Sequence, residues 1–133
     1  MSKLVAETSV KMLPGQMVDL LARVVDQAGE VLAASAFSAI TLMIFNRRDL
    51  STAIPLSGGP ATAISIPTSM VTGALATTDG WTEDEKGHNF SYSYNSGSDL
   101  TGGNKYVIDV KMTTSALGII HILVNLDVGR VYQ

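Results

Sequence analysis

From Lys105 to Met112 the chain alternates without a slip: Tyr106, Ile108, Val110 and Met112 fall on one side, and Lys105, Val107, Asp109 and Lys111 on the other. A period of two means a β-strand with one buried face, because successive strand side chains point to opposite sides of a sheet. The strand is fed by Leu100-Thr101-Gly102-Gly103-Asn104. Here Leu100 is an apolar plug, the glycine pair permits a positive φ, and Tyr106, three residues after Gly103, can bury its ring while its hydroxyl reaches back to the turn.

Leu100, Gly103 and Tyr106 together form the pattern of a tyrosine corner, which joins the two sheets of an immunoglobulin-like sandwich and marks where the penultimate strand begins. The other segments agree with an all-β chain. Leu4 to Met12, Met17 to Val25, Ser38 to Phe45, His88 to Tyr94 and Ile119 to Val128 each alternate, and turn residues such as Pro14-Gly15, Asp26 to Gly29 and Ser115 to Gly118 separate them. Ile40, Leu42 and Ile44 stand opposite Thr41, Met43 and Phe45, so that strand is apolar on both faces and is expected inside its sheet. Between Asn46 and Gly80 the pattern weakens into short pieces, Ala53 to Leu56, Ala63 to Ile66 and Met70 to Thr77, bounded by proline or glycine. No amphipathic helix of ten residues stands out. The expectation is one domain over residues 1–133, an immunoglobulin-like β-sandwich of seven to nine antiparallel strands. Residues 1–12 form an N-terminal strand or arm in this reading, and residues 53–75 an edge or arm.

Composition bounds the chemistry. The 133 residues contain no cysteine, which rules out disulfides and thiolate metal sites, so packing and hydrogen bonds hold the fold and a reducing cytosol is compatible with it. A net charge of -3 with no basic run argues against a nucleic-acid partner. Neither a signal peptide nor a membrane-spanning apolar run is visible, so a soluble protein without membrane attachment is expected.

No motif for catalysis emerges. His88 and His121 are the only imidazoles, each within a strand pattern, and no nucleophile-elbow motif places a serine beside them. Asp79, Glu83, Asp84 and Glu85 lack the alternating spacing of a calcium loop, so a solvated acidic loop is expected. Ser57-Gly58-Gly59-Pro60 and Thr101-Gly102-Gly103 lack the lysine and following helix of a phosphate cradle and read as turns. Asn89-Phe90-Ser91 matches the N-glycosylation triplet, which is idle in a protein that is not exported. Trp81 either caps the end of the sandwich or anchors a partner, the cap being favoured. Phe90, Tyr92 and Tyr94 form an aromatic ladder whose default role is packing. No catalytic residue, metal ligand or cofactor is expected.

Gly80-Trp81-Thr82, Gly87-His88-Asn89-Phe90, the Leu100 to Gly103 turn, Tyr106-Val107-Ile108-Asp109-Val110 and the hairpin led by Gly118 resemble small Ig-like structural proteins of tailed bacteriophage virions. His88 departs from the tyrosine more usual at its place. Pro14-Gly15 to Gly29 resembles the first hairpin of such domains, including baseplate proteins that hold receptor-binding subunits. The resemblance implies a non-enzymatic virion protein, made in the host cytoplasm, that decorates or cements the capsid as a homo-oligomer bound to the major capsid protein or to tail proteins. The alternative within that setting is a tail or baseplate adaptor. From another class, a carbohydrate-binding module would stack sugars on Trp81 and the Tyr92/Tyr94 face. Candidate interface residues are Trp81, Ile54, Ile64, Ile66 and Leu4.

Overall fold

The structure is a computed structural model that describes residues 2–13, 15–25, 28, 30–56, 61–76, 87–95, 99–115 and 118–129, with backbone alone for residues 2–10, 74 and 76. Nine strands account for most of it: β1 (Ser2–Met12), β2 (Met17–Ala22), β3 (Phe37–Asn46), β4 (Asp49–Ala53), β5 (Ile64–Ile66), β6 (Val71–Ala76), β7 (His88–Asn95), β8 (Lys105–Thr114) and β9 (Gly118–Val128). Short 3-10 turns at Ala34–Ala36 and Thr68–Met70 lead into β3 and β6.

The strands form two sheets, one ordered β1-β9-β8-β3-β4 with β5 also on β3, the other β2-β7-β6. In the lettering of immunoglobulin strands, β9-β8-β3-β4 has the order G-F-C-C′ and β2-β7-β6 the order B-E-D, so the fold is an Ig-like sandwich. β8, with Tyr106 as its second residue, is F, where the tyrosine corner belongs. Two residues on, where antibody domains carry the second cysteine of their inter-sheet disulfide, stands Ile108, fully buried. Apolar packing fills the space that the disulfide takes up in those domains.

The core lies between the facing sides. Val18, Leu20 and Ala22 of the smaller sheet, with Val24 just after β2, meet Ile40, Leu42 and Ile44 from β3, alternate residues of β8 from Tyr106 to Met112, and alternate residues of β9 from Ile120 to Val128, all buried. β3 is an interior strand, paired with β8 on one side and with β4 and β5 on the other.

One finding differs from the sequence expectation. The strand pairs are antiparallel with one exception: β1 runs parallel to β9, in register from Ser2 opposite Ile119 to Met12 opposite Val128, with a shift between Leu4 and Ala6. β1 can run parallel because the chain leaves it for the other sheet instead of returning through a hairpin. Within residues 53–75, expected as an edge or arm, β5 pairs with β3 alone and β6 ends the smaller sheet. β5 lies antiparallel on β3 with Ile66 opposite Ile40 and Ile64 opposite Leu42. Cross-strand partners share a face, so both isoleucines point to the core. Ile66 is buried, Ile54 and Ile64 pack against the core, and the Ile54 amide donates to the Ile44 carbonyl at 2.8 Å. As a partner-facing residue Ile66 is therefore corrected, since its own domain buries it, while Ile54 and Ile64 are half-buried against the core.

Candidate functional site

The corner is stitched from three sides. The Thr101 amide donates to the Tyr106 hydroxyl at 3.0 Å, and the Tyr106 ring and Leu100 are buried. Gly103 takes φ 86°, and its amide donates to the Val128 carbonyl at 2.7 Å while the Val128 amide donates to the Asn104 carbonyl at 3.0 Å. A side chain at position 103 would be strained, because L-residues rarely adopt that region. Tyr94, at the end of β7, donates its hydroxyl to Asp99 Oδ2 at 2.8 Å. Burial and the neighbouring Asp99 carboxylate push the Tyr94 phenol well above the usual tyrosine range.

Asn89 has a role that its sequence triplet did not suggest. Its side chain is buried; Oδ1 accepts from the Val24 amide at 2.6 Å, and Nδ2 donates to the carbonyls of Val24 at 3.0 Å and Leu32 at 2.8 Å. It ties the chain after β2 to the segment approaching β3, beside the Val25–Val31 bridge. The side-chain amide is consumed by the main chain and is closed to a glycosyltransferase in the folded protein. The signal available in the sequence was a polar residue next to the core-facing Phe90, and its partners lie 57 and 65 residues away.

The outer face of the larger sheet carries the chemistry that is open to a partner. Across β3, β8 and β9 the register aligns Phe45, Val107 and Asn125 in one row, Met43, Asp109 and Leu123 in the next, and Thr41, Lys111 and His121 in a third. All are half-buried except Lys111, which is exposed. His121 Nδ1 lies 2.8 Å from Asp109 Oδ1, and Arg47, on the β3–β4 turn, donates through Nη1 to Asn125 Oδ1 at 2.5 Å. A histidine bound to a carboxylate is two-thirds of a hydrolytic triad. Opposite His121 on β8 stands Lys111, and the hydroxyls of that face, Thr113 two residues along β8 and Thr41 two strands away, make no hydrogen bond to it. The arrangement therefore supplies a surface of mixed apolar and polar groups, and among the described residues no hydroxyl is hydrogen-bonded to His121. His88, the other imidazole, is buried.

The remaining candidates divide as follows. Trp81 and the acidic loop Asp79 to Glu85 lie outside the described residues, and of Leu4 only the backbone, paired opposite His121, is described. Tyr94 is 1 % exposed and its hydroxyl is engaged, so a sugar-stacking platform built on Tyr92 and Tyr94 lacks one of its two rings. Among the described residues no group of three or more His, Cys, Asp or Glu side chains is placed to hold a metal ion, and no helix is long and apolar enough to cross a membrane. An open groove of about 350 Å³ lies where β1 passes into β2, lined by Lys11, Met12, Leu13, Gln16, Asp127 and Gly129. Compared with known protein families, with characterised proteins and with solved structures, the chain matches none.

Proposed function

We propose that this protein is a non-enzymatic structural subunit of a tailed-bacteriophage virion, an accessory protein that decorates or cements the capsid. The observation that carries this reading is the flat outer face of β3, β8 and β9, where Met43, Phe45, Val107 and Leu123 lie half-exposed among paired polar groups. Such a face suits contact with another protein surface, since interface cores combine apolar area with satisfied hydrogen bonds. The resemblance of residues 80–110 to Ig-like virion proteins supplies the setting. The fold alone would not, because sandwiches of this kind host many functions.

The resemblance of Pro14-Gly15 to Gly29 to the first hairpin of baseplate domains favours a second reading, a tail adaptor that holds a receptor-binding subunit. Quantitative mass spectrometry of purified particles tests both. Copies in the hundreds, in proportion to the major capsid protein, are expected; a handful per particle selects the tail, and absence from washed particles refutes the virion assignment.

A further inference from the structure

β9 is an edge that something must cover. Without β1 it would close the larger sheet as an eleven-residue strand, Gly118–Val128, that contains no proline, lysine or arginine and pairs with β8 through ten residue pairs without a register shift. Proline, lysine and bulges are the devices that keep an edge strand from recruiting another chain, and β9 has none of them. The strand that does cover it is tied to little else. β1 pairs with β9 and has no comparable contact with any other described element, and its pairing is parallel.

The connection from β1 to β2 has the features of a hinge. It consists of residues 13–16, with Gly15 at φ 85°, and closes through the Gln16 amide to the Leu13 carbonyl at 3.3 Å and the Leu13 amide to Gln16 Oε1 at 2.9 Å. Two large apolar side chains flank it in the open, Leu13 at 46 % and Met17 at 60 % exposure, beside the groove between Met12 and Gly129. Short hinges that must reverse sharply favour exchange of the element they carry, because the reversal is relieved when the strand runs on to a neighbour.

We infer that β9 is a strand-acceptor site and that its occupant in the assembled form is β1 of a second copy of this chain. Every copy carries the same donor and the same acceptor, so the exchanged pair keeps the full register of the closed form, and the two differ only at the hinge. There the exchange gains contact, since two opened hinges side by side cover the Leu13 and Met17 side chains that a single copy leaves in water. The inference is independent of the virion assignment and holds or fails with the isolated protein.

The absence of native cysteines makes the test direct. Lys11 and Asp127 are exposed Cα partners across β1 and β9, at the separation a disulfide spans between adjacent strands. Two full-length chains with different tags, one Lys11→Cys and the other Asp127→Cys, are mixed and oxidised gently. Exchange predicts a disulfide-linked heterodimer several-fold more abundant than from the out-of-register mixture of Lys11→Cys with Lys111→Cys. Equal yields overturn it. A second variant removes dependence on either cysteine: deleting Gly15 and Gln16 leaves three Cα-to-Cα steps between β1 and β2. These reach about 10–11 Å at full extension, against about 10 Å between packed sheets, with no slack for the reversal. This variant is expected to be a discrete dimer by light scattering. A folded monomer, or aggregation without a dimer, refutes the exchange.

Discussion

Tyr94 and Tyr106 hold the same turn from opposite sheets: Tyr94, on β7, donates its hydroxyl to Asp99, and Tyr106, on β8, accepts from the Thr101 amide. Between the two anchors Leu100 is buried as the plug of the turn. Tyr106→Phe keeps the ring and deletes only the hydroxyl. The Asn104 Nδ2 contact to the same hydroxyl is long at 3.4 Å, and because Thr101 is exposed and water can satisfy its amide, the expected loss is close to the net value of one hydrogen bond, about 0.5–1.5 kcal/mol. Denaturant melting measures it, and an unchanged midpoint means that the corner bond contributes nothing.

Tyr94 carries a pH signature. Its phenol is raised above the ordinary value near 10, so above pH ~10 the unfolded chain releases a proton that the folded chain keeps. The stabilising contribution is complete below that pH and is lost as pH rises, at up to about 1.4 kcal/mol per pH unit for one group. Stability measured from pH 9 upward should therefore fall more steeply for the native protein than for Tyr94→Phe. Parallel curves would show that Tyr94 ionises as freely in the folded state as in the unfolded one.

Ile108 and Lys111 test the phase of β8. Ile108 is fully buried at the position beneath the corner, and Lys111 is exposed on the outer face. Ile108→Ala should cost about 2–5 kcal/mol, and Lys111→Ala should stay within about 0.5 kcal/mol of the native protein. Val124→Ala, one strand over and opposite Ile108, should also destabilise clearly. Comparable losses at positions 108 and 111 would contradict the placement of the two faces.

What could be read from the sequence was what depends on local period and local turn chemistry. β8 and β9 alternate over ten residues each, so the buried set from Tyr106 to Met112 and from Ile120 to Val128 follows from the pattern alone. β4 was missed because Asp49 to Ala53 carries one large apolar residue, Leu50, and that residue is exposed. β4 is placed by the two-residue turn at Arg47-Arg48, where Asn46 Oδ1 accepts from the Arg48 amide, and not by any hydrophobic face. The proline-bounded piece around Ile64 to Ile66 was legible as a strand but not as a core-facing one, since its burial depends on docking against Ile40 and Leu42 more than twenty residues earlier. The partner of β1 was hidden for the same reason: parallel pairing with a strand more than a hundred residues away leaves no mark in either segment. The outer-face rows of the candidate site need the cross-strand register and could not be assembled from any one strand.

Asn89 gives the sharpest separation between a sequence motif and a structural role. Its carboxamide makes three hydrogen bonds to buried or half-buried main chain, two to Val24 and one to Leu32. Asn89→Ala takes this partner from the Val24 amide and the Leu32 carbonyl, while the Val24 carbonyl keeps the Leu32 amide at 3.1 Å, and even one buried unsatisfied group costs about 1–3 kcal/mol. The variant should therefore melt well below the native protein, and hydrogen exchange at the Val24 amide should accelerate. Ser91→Ala breaks the same glycosylation triplet but removes a half-buried hydroxyl outside the clamp, so its expected effect is within about 0.5 kcal/mol. If both variants lose the same stability, or if Val24 exchanges no faster in Asn89→Ala, the side chain is not what holds the β2 exit to the approach of β3.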